Sequence, residues 1–275
     1  MVFDPGMDIE FSDRRELERD LKRALAGEDL QVHYQPIVAS DGSRIVGVEA
    51  LARWTHPQHG AIGPLVFIPV AEQAGLMDAL GEYVLRRALT DARRWPELYV
   101  AVNVSPVQVR DRKFVELVAR VLQEKMISAP RLVLEMTESV LIDNPDEAKL
   151  RLDVLRGLGV KIALDDFGTG YSSLNYLQRF AFDKLKIDRA FVTPLGRSAN
   201  SGAMIQAIVA LGNALGLSIL AEGVETEEQR VLLRLAGCHD MLGFLFAEPG
   251  PRVAIDTIIA DAKLRAGGRA VAAAN

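Results

Sequence analysis

Only five residues, 39–43, separate the first two strand-like stretches of this chain, and they contain Ser-Asp-Gly. The flanking segments 30–38 and 44–51 each read as an apolar strand. A helical crossover between parallel strands takes a dozen or more residues, whereas a hairpin turn fits in a few. The first two strands must therefore run antiparallel. Beyond them the pattern changes. Strand candidates at 98–104, 131–136, 160–164, 184–187, 217–221 and 241–246 alternate with amphipathic stretches at 76–95, 106–125, 145–158, 172–179, 203–215, 225–236 and 252–266. A further helix candidate, 14–26, precedes the first strand. Ser105-Pro106 and Asn144-Pro145 each supply a cap followed by proline at the first helical position. Eight strands mostly alternating with helices predict an α/β fold, an (α/β)8 TIM-like barrel with an antiparallel first strand. A doubly wound open sheet would carry a Gly-rich phosphate turn after its first strand, and none follows here.

The bulk properties narrow the ligand. With 275 residues, 49% of them hydrophobic, the chain has ample core for one large domain. Its net charge of -5, with no cluster of Lys and Arg, argues against gripping polymeric nucleic acid. A phosphate ligand would be small, with metal ions supplying part of the neutralisation. The single cysteine, Cys238, excludes an internal disulfide framework and a Cys-rich zinc site, and reads as a small buried apolar residue. The N-terminus has no signal-peptide pattern. Residues 198–221 are free of charge, but Gln206, Asn213, Ser218 and the glycines at 212 and 216 make them a helix and a strand rather than a membrane span. A cytoplasmic domain is expected. Residues 1–12 are expected to be linker or vector-derived, 13–266 the barrel and 267–275 a flexible tail, in a piece of a longer protein.

Barrel enzymes place their chemistry at the C-terminal mouths of the strands. The fifth strand runs into "KIALDDFGTGYSSL", where two adjacent carboxylates precede a glycine-rich loop. Neighbouring side chains of a strand point to opposite faces, so both can face the mouth only if the strand ends there. The other mouths are similarly polar. They offer Glu49 and Arg53, Asn103, Glu135 and Glu138, Lys186 and Asp188, and Glu222 and Glu225. Glu138, Asp188 and Glu225 lie outside the apolar runs and suit helix caps or first turns equally well. Glu49, Asn103, Glu135 and Glu222 are embedded in apolar strands, where an unpaired charge costs several kcal/mol. Together with Asp165 they read as a shared polar site. Carboxylates and an amide oxygen are hard ligands, so the expected metal is Mg²⁺ or Mn²⁺ rather than zinc. Five converging acids exceed the needs of one ion. Two ions per site, with Asp165 bridging and Asp166 on the second, would serve attack of water on phosphorus. Lys186 then fits as a cation beside the water or the developing charge.

The motifs "YQPI" at 34–37, "EALAR" at 49–53, "NVS" at 103–105, "EMTE" at 135–138, "DDFGTGYSSL" at 165–174, "KID" at 186–188 and "EGVE" at 222–225 resemble the EAL domain family of cyclic di-GMP-specific phosphodiesterases. The resemblance covers about residues 15–255, in family order. It implies a bacterial second-messenger hydrolase that opens cyclic di-GMP to linear pGpG. It also implies that Glu49, Asn103, Glu135, Asp165, Asp166 and Glu222 bind metal. The catalytic set would be Glu49, Asp165, Lys186 and Glu222, the last two holding or activating the attacking water. Arg53 would bind a substrate phosphate, Gln35 and Leu51 would line the nucleotide pocket, and Glu138 would brace the loop after Asp166. The family also implies a homodimer formed next to that loop, and a sensory or GGDEF domain in the full-length protein. One departure stands out. Active members usually carry Gln-Gly on the last strand, the glutamine helping to position the water, and here "MLGFLF" puts Leu242 in its place. A non-hydrolytic cyclic di-GMP receptor is the alternative, although such members usually lose metal ligands that this chain keeps. A glycoside hydrolase using Glu135 and Glu222 would leave Asp165, Asp166 and Asn103 without a purpose.

Overall fold

A computed structural model describes residues 11–27, 29–138, 144–168, 177, 179–197 and 199–273. Its strands are β1 (Leu30–Ala39), β2 (Ile45–His56), β3 (Gly60–Ile62), β4 (Tyr99–Asn103), β5 (Leu132–Thr137), β6 (Lys161–Phe167), β7 (Lys184–Ile187), β8 (Ser218–Ala221), β9 (Asp240–Met241) and β10 (Gly250–Pro251). Strands β2, β4, β5, β6, β7, β8 and β9 pair in parallel in that order. Strand β1 pairs antiparallel with both β2 and β9 and closes the ring. The closed eight-stranded barrel with one antiparallel strand is thus the architecture that the short first turn required. Strand β3 extends β2 as a hairpin, and β10 adds to β1.

The helices are α1 (Phe11–Ala26), α2 (Pro64–Gln73), α3 (Met77–Ala92), α4 (Pro106–Arg110), α5 (Arg112–Lys125), α6 (Pro145–Gly157), α7 (Arg189–Val192), α8 (Ala199–Ala214), α9 (Glu227–Ala236) and α10 (Arg252–Ala273). None of the helices among the described residues is long and apolar enough to cross a membrane.

The near-continuous apolar runs of the parallel strands follow from burial on both faces. In β5, Leu132, Leu134 and Met136 pack outward beneath the helices, while Val133 joins a second, smaller cluster with Ile37, Ala101, Ala163, Leu220 and Leu242. That cluster draws one residue from each of several strands and fills the barrel interior, like the side-chain layers of TIM barrels. Alternation then fixes the next inward layer. Two residues further toward the C-terminal mouth stand Asn103, Glu135, Asp165 and Glu222. Below the apolar layer, Lys184 Nζ lies 2.8 Å from Asp240 Oδ2 and 4.6 Å from the centre of the Tyr99 ring. Glycine is required at position 47, because a Cβ there would lie 2.6 Å from that ring.

Several boundaries differ from expectation. Strand β2 continues to His56, beyond the predicted end at 51, because β1 and the hairpin strand β3 support it. Helix α2 was not expected, although Pro64 after Gly63 is a proper N-terminal start signal. The predicted helix 106–125 breaks at Asp111, whose side chain accepts the Lys113 N–H at 2.9 Å and caps α5. The predicted last strand 241–246 ends at Met241, where the chain turns over Val224: the Leu245 N–H donates to the Val224 carbonyl. Helix α10 runs to Ala273, past the expected end at 266. Most of the expected helix 172–179 lies outside the described residues. Cys238 is buried, and burial pushes its thiol up to about 12, as suits an inert core residue.

Candidate active site

The adjacent aspartates are accommodated in an unexpected way. Strand β6 does not end before them but continues to Phe167. Its pairing with β7 runs Leu164↔Leu185 and then Phe167↔Ile187, so β6 carries one extra residue there. Such a bulge re-aims side chains at a barrel rim. Asp166 takes φ of 54°, a left-handed backbone that is uncommon for a residue with a side chain. Strain of this kind collects at functional sites. The Asp166 N–H donates to Asp165 Oδ1 at 2.9 Å.

Lys186 lies at the centre of the inward layer and is 1% exposed. Its Nζ is 2.6 Å from Glu135 Oε2, 3.0 Å from Asp165 Oδ2, 2.6 Å from Glu222 Oε1 and 3.8 Å from Glu49 Oε1. Glu222 Oε1 is buried and within ion-pair reach, yet its direction does not make it a hydrogen-bond acceptor. Asn103, exposed at the mouth, donates from Nδ2 to Glu49 Oε1 at 2.8 Å. One ammonium thus faces four carboxylates. Burial holds the Glu135 carboxyl well above its usual range against the pull of Lys186. Burial likewise pushes Glu222 up to about 8. Asp166 is raised by burial and by the neighbouring Asp165. Burial opposes the charge on Lys186, but Glu135, Glu222, Glu49 and Asp165 outweigh it and hold the ammonium well above its usual range.

The predicted substrate residues flank this cluster. Gln35 is opposite Glu49 in the β1–β2 register and donates to the Ala247 carbonyl at 3.0 Å. Leu51 and Arg53 follow Glu49 at two-residue steps on β2, both half-buried. Arg53 donates from Nη1 to the Ala52 carbonyl at 2.9 Å, and no carboxylate lies within ion-pair distance of it among the described residues. Leu242, just past β9, donates its N–H to the Ala221 carbonyl at 2.9 Å and packs into the interior apolar layer. Asp188 caps α7 by accepting the Ala190 N–H at 2.8 Å, the simpler of its two readings. The loop that Glu138 was expected to brace falls outside the described residues. The Tyr99–Lys184–Asp240 group below the site was not anticipated. The two-residue spacing of Lys184 and Lys186 in "DKLKID" was the available signal, since it places both inward.

The donor set fits a hard divalent ion: only oxygen ligands, and four carboxylates against one ammonium. The carboxylates are drawn in on Lys186. No three acid or histidine side chains among the described residues stand ready as ligands, so an ion would require them to turn away from the ammonium. Crowded carboxylates destabilise one another. Mg²⁺ or Mn²⁺ should therefore raise the melting temperature in step with occupancy. Replacing both Glu49→Gln and Asp165→Asn should stabilise the chelator-treated protein and remove the metal-induced shift. A double variant still stabilised like wild type would show that the ions bind elsewhere.

The fold and this ring of strand-end acids define a barrel-type EAL domain. A family model described as "EAL domain" matches residues 18–249, and the chain belongs to that family. It is similar to an uncharacterised signalling protein of Caulobacter vibrioides, 46% identical over 250 residues that make up 90% of this chain and 31% of that protein. It is also similar to the bifunctional diguanylate cyclase/cyclic di-GMP phosphodiesterase MucR of Pseudomonas aeruginosa, 42% identical over 90% of this chain and 37% of that one. The chain therefore spans about a third of the length of these curated relatives. The solved MucR phosphodiesterase in complex with c-di-GMP superimposes with a TM-score of 0.83 at 42% identity, covering 87% of this chain and 99% of that one.

Proposed function

We propose that this chain is a metal-dependent phosphodiesterase that hydrolyses cyclic di-GMP to linear pGpG. The observation that carries the reading is the buried carboxylate ring around Lys186, with Arg53 two strand steps beyond Glu49 and no carboxylate within ion-pair distance of it among the described residues. Likeness to a phosphodiesterase solved with c-di-GMP supports it. Glu49, Asn103, Glu135, Asp165, Asp166 and Glu222 would hold two Mg²⁺ or Mn²⁺ ions. When bound, these would activate water and offset the charge of the phosphate. Arg53 binds a non-bridging phosphate oxygen, a charge-assisted contact that a guanidinium makes well. Gln35 and Leu51 line the nucleotide pocket. Lys186 and Glu222, whose Nζ and Oε1 lie 2.6 Å apart, orient the attacking water. Turnover by chelator-treated protein should be absent, and either ion should restore it. Metal-independent turnover would contradict the reading.

Leu242 favours a second reading, a receptor that binds without cleaving. It offers the water no hydrogen bond from the apolar layer that underlies the carboxylate ring. One lost contact is worth roughly 1 kcal/mol, several-fold in rate. Leu242→Gln should raise kcat several-fold with KM nearly unchanged. Loss of activity would instead show that the apolar layer is packed around leucine and cannot accept an amide.

The remaining parts of the proposal concern assembly. Helix α6 exposes Leu150 and Val154, and its C-cap residue Leu158 continues the line, a stripe suited to a homodimer, which sedimentation would test. A cytoplasmic location fits the nucleotide substrate, and the length of the relatives fits an attached sensory or GGDEF domain.

A further inference from the structure

We propose that Asp20 and His56 are positioning residues for Arg53. Beyond Ala50, strand β2 loses its parallel partner β4. From Leu51 to Arg53 it is paired only with β1; Trp54 pairs with both β1 and the short β3, and Thr55 and His56 pair with β3 alone. Leu51 and Arg53 therefore stand on a ribbon that projects from the barrel, not on the barrel wall. Something must hold the tip of that ribbon if the guanidinium is to keep its place.

The tip is pinned to α1. His56 Nε2 lies 2.9 Å from Asp20 Oδ2, and the two residues are 3% and 6% exposed. The proton on His56 is fixed by its other nitrogen. Nδ1 accepts the backbone N–H groups of Gln58 at 3.1 Å and His59 at 3.2 Å, so Nε2 carries the hydrogen and donates it to Asp20. His56 thereby closes the β2–β3 turn with one nitrogen and anchors it to α1 with the other. Arg23 and Arg19 hold the Asp20 carboxylate from the α1 side. A further link, from the Thr55 N–H to the Asp29 carbonyl at 3.1 Å, ties the same tip to the segment that joins α1 to β1. The Trp54 and His56 rings meet edge to face at 5.4 Å, and Trp54 also meets Phe67 of α2. The clamp thus sits three residues from Arg53 and contacts no group of the carboxylate ring.

This inference rests on the proposed role of Arg53, and its test separates the two. A displaced phosphate-binding guanidinium weakens binding of ground and transition states alike, which raises KM and spares kcat. With cyclic di-GMP and Mn²⁺, Asp20→Ala should raise KM roughly five- to tenfold with kcat within about twofold, the order expected when a positioned group shifts by a fraction of an ångström. Asp20→Asn keeps an oxygen for His56 and should restore most of the affinity. In an Arg53→Ala background, Asp20→Ala should change KM no further. If Arg53→Ala leaves KM unaltered, the role of Arg53 is wrong, and the positioning inference falls with it. If Arg53→Ala raises KM while Asp20→Ala only lowers the melting temperature, or if the two effects multiply, the pair is merely structural and the inference alone fails. Should Asp20→Ala not fold, His56→Gln, which keeps a donor toward Asp20 but loses the ring that braces the turn, is held to the same KM shift and the same non-additivity.

Discussion

Glu49→Ala is expected to lower kcat/KM for cyclic di-GMP by at least ~10²-fold, the usual effect of removing one preorganised electrostatic group from a catalytic site. Glu49 is buried on β2, accepts the Asn103 amide at 2.8 Å and lies 3.8 Å from Lys186. Its loss removes a candidate metal ligand and frees the Asn103 amide from its carboxylate partner. The same substitution removes one negative charge from a crowded ring, so the chelator-treated variant should melt no lower than wild type by more than the small cavity costs. Lost activity with preserved folding is the signature of a site residue. Wild-type turnover by Glu49→Ala would mean that the site has been assigned to the wrong residues.

Lys186→Met should be the most damaging single substitution for stability. The ammonium is buried and in ion-pair contact with Glu135, Asp165 and Glu222. Methionine fills much of the same space but leaves the carboxylates uncompensated. Breaking a buried ion pair by removing one partner typically costs ~3–5 kcal/mol. The sign with pH follows from the raised carboxyls. Glu135 and Glu222 both titrate above their ordinary range, Glu222 at about 8, so acid lets them take up protons and relieves the repulsion. The unfolded chain releases those protons near the ordinary carboxyl range, so the variant's deficit should be largest above pH 8 and shrink toward pH 5. Urea denaturation in chelator at both pH values checks this. A variant as stable as wild type at the higher pH would show that the ammonium is not what neutralises the ring.

The barrel was legible because its constraints are local. The 39–43 turn is too short for a crossover, and apolar runs with capped helices between them leave few other arrangements. The inward residues were legible for a related reason, since a charge inside an apolar strand must be matched. Three features were not. The bulge that turns Asp165 and Asp166 toward one mouth depends on the pairing of β6 with β7, which periodicity along one strand cannot reveal. The extension of β2 to His56 depends on a hairpin partner formed by residues 60–62, too short to read as a strand. The Asp20–His56 clamp joins residues 36 positions apart through a helix that looked merely amphipathic. The convergence of the carboxylates on Lys186 was likewise read only in part, as a cation near the water rather than the centre of the ring.

Hydrolysis of cyclic di-GMP is tested most directly by identifying the product. The wild-type chain is incubated with cyclic di-GMP and Mg²⁺ or Mn²⁺, and the nucleotides are resolved by chromatography, with a chelator-treated sample alongside. Linear pGpG is expected in the metal-containing samples and intact cyclic di-GMP with chelator. Recovery of intact cyclic di-GMP from every sample, with the nucleotide bound to the protein, would contradict hydrolysis and identify a receptor.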